Sequence, residues 1–450
     1  MQKPELYAKR RESNLRINNA DAQRMKEAGI ICTASLHPAK GWVGPFAVVE
    51  DKPSGQRRRF IAWPREKNDK DDYEADVPLA HISKYLDVVY DETATLFDLK
   101  ASFFQVELPV NTRASFRCRT ESGEFVEFTR LPMGYKCSPE ILNTIKRVLS
   151  GGSELVLPQY AAPEGLHIHV WIDNIRISGP HQKVDAWGKT IWKNMQQCGT
   201  TIVEQKLNTK EYDFIGVHFN HKDNTVSLSE KTIQRLQQAP SLDNTTVEEL
   251  ESTVSRMLYA GGVRGAALFP YYFFLKIVRR RLSRLNRGLI RPKDPANLSP
   301  TAKDIGQSLL NTLLMNDPVH PPQKLPSMAT LGTDASMYGW GVLLFKDSGA
   351  FWPRSARAVH LALRGFKTHP HGPVDIRVDN TTVMHIVQKG NTHSQALVKE
   401  ADTIDRVLRS HGIRAKWCYA ASEQNPADGL SRGKTVHSVD VAKGWNLRWG

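Results

Sequence analysis

Two aspartates stand where a sheet could bring them together. Asp98 lies in LFDLKASFFQVEL and Asp173 in HVWIDNIRISG. Each follows an apolar run, the context in which a strand carries a side chain to a sheet rim. Carboxylates delivered to one rim by separate strands can clamp two divalent ions ~4 Å apart, an arrangement that serves phosphoryl transfer. Mg²⁺ favours hard oxygen ligands and takes few of them from the protein, so two or three carboxylates suffice. A single strand-end aspartate is most often structural. The residue after Asp173 is Asn174. A carboxamide keeps the shape of a carboxylate without its charge and is a poorer metal ligand. Asn also suits the positive-φ positions of a two-residue turn. Two readings of the stretch stay open, a working variant site and a decayed one.

Strands and turns surround these residues. WVGPFAVVED and RRRFIAWP are strands about the turn KPSG, with Gly and Pro as punctuation. ATLFDL, FFQVEL, ASFRCR and EFVEFTRL are strand-like, and HIHVWIDNIRISG is strand, turn, strand. The stretch CSPEILNTIKRVL predicts a helix with Ser138 as its cap and Pro139 in its first position. From 221 to 325 helical patterns dominate, in TTVEELESTVSRML and YYFFLKIVRRRLSRLNRGL. The basic residues between Lys276 and Arg287 make either a solvated helix face or a track for phosphates. RPKDPANLSP and DPVHPPQKLP look like boundaries, and a strand-rich unit begins at MATLGTDASMYGWGVLLF. No internal repeat is present.

Composition limits the possibilities. In 450 residues, 61 Lys+Arg exceed 47 Asp+Glu, for a formal charge of +14. That excess points to a polyanionic partner, most often nucleic acid. No apolar run approaches the ~18 residues of a membrane span, and the N-terminus lacks the apolar core of a secretory signal. The five cysteines, Cys32, Cys118, Cys137, Cys198 and Cys418, never fall in C-x-x-C spacing. The expectation is a reducing, intracellular setting (nucleus, cytoplasm or both, not secreted), with no zinc site and no disulfide framework.

Taken in order, these segments resemble the reverse transcriptases over roughly 45–220. LFDLKASFFQVEL is similar to their first metal-binding motif, RLPMGYKCSP to the loop-to-helix motif L-P-x-G-x-x-x-S-P, and HVWIDNIRISG to the catalytic hairpin. CGTTIVEQK resembles the motif whose lysine faces the leaving pyrophosphate, and FIGVHF the primer grip. PFAVVEDKPSGQRRRFIAWPREKN resembles the fingers hairpin, with Arg59, Arg65 and Asn68 at matching spacings. The order carries more weight than any single motif. The resemblance implies that Asp98 and Asp173 hold the metals with the Leu99 carbonyl, beside Asn174. Some viral RNA polymerases carry Asp-Asn at this hairpin. Lys206 would protonate or stabilise the leaving group, and Arg59, with Lys52 or Arg58, would neutralise the triphosphate. Phe103 would be a steric gate against the ribose 2′-OH. Gly134, beside Met133, would let backbone approach the incoming base or template. Arg65 completes the implied substrate contacts.

A second resemblance covers the C-terminal third. LGTDASMYGWGVLLF with Asp334, VDIRVDNTTVMHIVQKG with Asp379 and SEQNPADGLSRG with Asp428 are similar to a retroelement RNase H domain. In that family the aspartates bind two metals that activate water against the RNA strand of a hybrid. The family's glutamate should fall near Ser355 if ARAVHLALRGF is the first helix, yet no Glu occurs between Glu251 and Glu400. RNase H activity is therefore the more doubtful of the two, and a purely structural domain is an alternative.

The sequence thus predicts an α+β multidomain chain. It comprises right-hand fingers and palm over 1–220, a helical basic thumb or connection over 221–325, an RNase H-like α/β domain over 326–433, and a tail over 434–450. The expected activity is RNA-directed DNA synthesis with two Mg²⁺ or Mn²⁺ per active site. The partners would be an RNA template, a DNA primer, RNA–DNA hybrid and dNTP, with no membrane; the oligomeric state is left open. LPMGYKCSP, WIDNIRI and NPADGLSR look closest to DIRS/VIPER-like tyrosine-recombinase retrotransposons. The rivals are a domesticated element protein that binds RNA or hybrid without chemistry, and an RNA-dependent RNA polymerase. Phe103 and the RNase H resemblance argue against the second rival.

Overall fold

The computed structural model describes residues 16–52, 55–99, 101–323, 328–335, 340–346, 351–355, 372–389 and 395–449. The chain divides into two compact units, one of residues 1–81, 90–215 and 220–223, the other of 82–89, 216–219 and 224–450.

The first unit opens with α1 (Asn19–Glu27), capped by the Asn18 side chain accepting from the Ala20 amide. Strand β1 (Ile31–Thr33) follows, then the hairpin of β2 (Gly44–Lys52) and β3 (Gly55–Trp63), with Lys52 opposite Gly55. After α2 (Arg65–Lys70) comes β4 (Thr93–Leu99), then the short helix α3 (Val110–Arg113). Strands β5 (Arg117–Arg119) and β6 (Phe125–Phe128) join β1 in the order β1-β6-β5. Helix α4 (Ser138–Leu149) precedes β7 (His167–Trp171) and β8 (Asn174–Gly179). Helix α5 (His181–Gln197), β9 (Ile202–Thr209) and β10 (Glu211–Phe214) complete the unit.

The central sheet of this unit runs β7-β8-β4-β9. Its alternation decides which side chains meet solvent. Phe97, Leu99, Ile175 and Ile177 turn inward and pack with Val184, Ile191 and Met195 of α5. Asp98, lying between Phe97 and Leu99, is therefore carried to the other face.

The second unit contains β11 (Val217–Asn220), β12 (Thr225–Leu228), α6 (Glu230–Gln237), α7 (Val247–Arg264), α8 (Tyr272–Asn286) and α9 (Pro300–Leu314). A capping box of Thr246 and Glu249 starts α7, and Gly265 ends it in the left-handed region. A five-stranded sheet comes next, of β13 (Ala329–Ala335), β14 (Trp340–Lys346), β15 (Phe351–Ser355), β16 (Gly372–Val378) and β17 (Ile413–Tyr419). Its order is β15-β14-β13-β16-β17, antiparallel on the β14 side of β13 and parallel on the β16 side. Helices Thr381–Lys389 and Gln395–Ser410 accompany it. No helix among the described residues is long and apolar enough to cross a membrane.

Three local expectations are corrected. FFQVEL is no strand: Ala101, at φ 46°, turns the chain out of β4 into a 3₁₀ turn over Ser102–Gln105. Ser138 does not cap α4: its hydroxyl donates to the Pro132 carbonyl at 2.9 Å, and Cys137 occupies the cap without a side-chain bond. Asn174 does not take the positive-φ turn position. Trp171 pairs with Asn174, so Ile172 and Asp173 form the turn, with Ile172 at φ 48°. The stretch ARAVHLALRGF, on which the place of the family's glutamate depends, lies outside the described residues, and Ser355 closes β15.

Candidate functional site

The rim of the central sheet gathers the first pair of carboxylates. Asp98 on β4 pairs across the ladder with Asn174 on β8, and Asp173 stands one residue before it in the turn. The Asp173 carbonyl also approaches the Leu99 amide, at 3.5 Å. Leu99 itself closes β4. Asn174 Nδ2 donates to Asp173 Oδ1 at 2.8 Å. The amide thus grips its neighbour where a second carboxylate would repel it. Ile172 is β-branched, and such residues rarely accept positive φ, which costs of order 1–3 kcal/mol. Strain of this kind is borne where the surroundings over-determine the backbone, here by the paired strands on either side.

Lys146 of α4 lies within electrostatic range of this pair. Its side chain is buried, 1% exposed, and Nζ has no hydrogen-bond partner. Burial lowers its pKa to about 7, against the opposing pull of Asp173 and Asp98. Sequence reading passed it over because a lysine in a helix ordinarily reads as a solvated face.

The loop before α4 is held by α2. Asn68 Nδ2 donates to the Gly134 carbonyl at 3.0 Å, and its Oδ1 accepts from the Lys136 amide at 3.0 Å. The Ala62 amide donates to the Met133 carbonyl at 2.8 Å. Gly134 is at φ 127°, and a Cβ there would meet the Ala62 carbonyl oxygen at 2.4 Å. Glycine is thus required by close approach as well as by dihedral. Tyr135 donates to Asp71 Oδ2 at 2.7 Å, and this bond lowers the Asp71 pKa. Motif resemblance singled out Asn68; only the structure reveals its grip on the loop.

Among the other expected residues, Arg59 lies on β3 opposite Val48. Arg65 begins α2 and pairs with Asp69 at 3.6 Å. Phe103 is half-buried in the 3₁₀ turn after β4, packed against the core that includes Leu108 and Phe116. Lys206 on β9 lies opposite Leu96, two residues from Asp98, with Nζ 3.6 Å from Glu204 Oε1. A buried network that sequence reading missed backs the hairpin. Arg176, fully buried, meets His169 Nδ1 at 3.0 Å and lies over the Phe214 ring at 4.4 Å.

The second set stands at one end of the five-stranded sheet. Thr333 pairs with Val378 in the parallel ladder, which sets Asp334 and Asp379 side by side just beyond. Asn425 pins the adjoining segment, with Nδ2 donating to the Thr333 carbonyl at 2.9 Å. A Cβ on Gly341 would lie 2.3 Å from the Ala427 carbonyl oxygen, so glycine permits β14 to approach this segment. Ser431 Oγ donates to Asp334 and also, at 2.8 Å, to the Asp428 carbonyl. Asp428 Oδ1 accepts both Nε and Nη2 of Arg432, at 3.1 and 2.9 Å. Among the described residues no three His, Cys, Asp or Glu side chains stand together as a metal site.

Asp379 is raised to about 6, by burial first and then by the hydrogen bond and charge of Asp334. The unfolded carboxyl titrates near 4. Its proton is thus held more tightly in the folded chain, and the stability it contributes is complete below pH ~4 and lost as pH rises through 6. Asp379→Asn should therefore stabilise the chain at pH 7.5 by on the order of 1 kcal/mol, discounted for partial exposure, and scarcely at pH 4. Thermal melts at the two pH values check this; an equal change at both would refute it.

No protein-family model and no curated protein matches the chain. Solved structures do. A foamy viral protease-reverse transcriptase dRH in complex with double-stranded DNA superposes at a TM-score of 0.52 with 15% identity, over 89% of this chain and 69% of that one. The foamy viral protease-reverse transcriptase in complex with double-stranded DNA gives 0.49 and 14%, over 88% and 81%. Its complex with an RNA/DNA hybrid gives 0.48 and 13%, over 90% and 54%. At such identity the likeness in the first comparison is one of fold: this mixed α+β chain has a fold like that of a reverse transcriptase.

Proposed function

We propose that the chain is an RNA-directed DNA polymerase joined to an RNase H-like domain. The observation that carries this is the pairing of Asp98 with the tip of the β7–β8 hairpin, which sets it beside Asp173. The reverse-transcriptase-like fold supports it. The donor set suits Mg²⁺ or Mn²⁺, because the rim offers hard carboxylate oxygens and Mg²⁺ completes its shell with water and substrate phosphate. Asp98 and Asp173, with the Leu99 carbonyl, would hold the ions. Once bound, the ions supply charge neutralisation at the phosphates of a dNTP and primer end. Asn174 orients Asp173. The Asn68-held loop presents Gly134 and Met133 to the base or template, and Phe103 borders the sugar. Arg59 and Arg65 meet the triphosphate, and Lys206 hands a proton to the departing pyrophosphate. Primer extension on an RNA template with dNTP, in Mg²⁺ and in Mn²⁺, tests the reading; no extension in either metal refutes it. The DIRS/VIPER-like affinity rests on the three sequence motifs.

For the second site we favour hybrid binding with weak cleavage. Asp428 is committed to Arg432, and Asp334 and Asp379 share a hydrogen bond. The sequence resemblance would assign its metals to Asp334, Asp379 and Asp428, of which the ladder sets only the first two side by side. A domesticated, binding-only protein is the alternative for the whole chain.

Both readings need a surface for phosphates, and α8 offers one. Its Tyr272, Phe274, Leu275 and Val278 are buried, while Arg280, Arg284 and Arg287 are exposed along one side. Arg281 instead donates to the Asn297 carbonyl at 3.0 Å. Changing Arg280, Arg284 and Arg287 together to Gln should lower the log–log salt slope of duplex binding by ~3. An unchanged slope would mean that the stripe faces only solvent.

A further inference from the structure

Two carboxylates, Asp98 and Asp173, are the fewest with which such a rim could serve two divalent ions. On β8 the cross-strand partner of Asp98 is Asn174; on β9 it is Glu204. Directly opposed residues of an antiparallel ladder share a face, with Cβ atoms ~4.5–5.5 Å apart. A single row therefore runs Trp171, Asn174, Asp98, Glu204 across the four strands. The flank of Asp98 that carries an amide is matched by a carboxylate on the other flank.

Asp98, Asp173 and the Asn174 amide give the rim two carboxylates, and one more acid in the row would add a third. Glu204 can serve. Its side chain is 62% exposed, and its contact with Lys206 is a long, exposed ion pair at 3.6 Å. Such pairs are worth ~0–1 kcal/mol, so a change of rotamer toward Asp98 costs little.

Resting on the metal-site reading of the rim, we propose that Glu204 supplies its third carboxylate, from the strand opposite the one on which Asn174 lacks it.

The test is direct Mn²⁺ binding to the full chain, read by electron paramagnetic resonance of free Mn²⁺, with primer extension alongside. Glu204→Gln should weaken Mn²⁺ binding at the rim about tenfold or more, with the melting temperature unchanged because the side chain is exposed. Asn174→Asp in the same chain should recover most of that loss, since the acid then stands on the other flank of Asp98. Glu204→Asp should fall between wild type and Glu204→Gln. Lys206→Met should not weaken binding; a loss equal to that of Glu204→Gln would show that Glu204 merely holds the lysine, and would overturn the proposal. Mn²⁺ binding that depends on Asp98 but not on Glu204 overturns this proposal alone. Binding that depends on neither overturns the metal reading of the rim as well.

Discussion

Asp98→Ala and Asp173→Ala should each lower primer extension at least a hundredfold, while a purified variant melts close to wild type. The size follows from what the side chains do. Removing one preorganised electrostatic group from a reacting centre typically costs ~10²–10³ in rate, and at the proposed metal rim a divalent ion deprived of a carboxylate loses more of its site than a buried hydrogen bond would represent. Folding should be spared. Asp98 and Asp173 are only half-buried, at a rim, whereas the packing between Phe97, Ile175 and α5 lies on the far face of the same strands. The two variants should also behave alike, because the Asp98–Asn174 ladder and the Asn174–Asp173 bond make the pair one unit. The double variant should therefore be scarcely slower than either single one. Extension rates under single-turnover conditions check this. Residual extension above a few per cent of wild type in either variant would remove it from the metal site.

Alternation and turn punctuation make much of this legible in the sequence. HIHVWIDNIRISG reads as two short strands with a tight turn because its apolar residues recur at every second position, and the ladder has that form. The two strands around KPSG were equally plain. The features that stayed hidden depend on register or on tertiary contact. Which residue takes the positive φ is settled by the pairing of Trp171 with Asn174, and a one-residue slip would have moved it. FFQVEL has the composition of a strand, but a short apolar run does not declare its dihedrals, and Ala101 bends the chain first. Lys146 has nothing in its neighbourhood along the chain to mark it as buried. Glu204 gains its meaning only from standing opposite Asp98, about a hundred residues earlier in the chain. The missing glutamate near Ser355 remains a sequence observation.

Phe103→Ala should let ribonucleotides in. Phe103 stands five residues beyond Asp98, in the 3₁₀ turn that leaves β4, so a short turn ties the ring to the strand that carries Asp98. The ring is braced: it packs against a core that includes Leu108 and Phe116, and its carbonyl accepts from the Val106 amide at 3.2 Å. A braced ring excludes an extra hydroxyl sterically, and forcing additional atoms into a packed site costs ~1–3 kcal/mol. At ~1.4 kcal/mol per factor of ten, discrimination between dNTP and rNTP should fall about tenfold to a hundredfold in the alanine variant. The change should appear in the ribonucleotide kcat/KM rise, with the deoxynucleotide value declining only modestly, since truncation removes a barrier rather than a shared contact. Phe103→Tyr should keep the preference, because the ring and its bracing remain. Paired kcat/KM measurements for dNTP and rNTP in the three proteins decide the matter. An alanine variant with wild-type selectivity would mean that Phe103 serves the core and that another side chain borders the sugar.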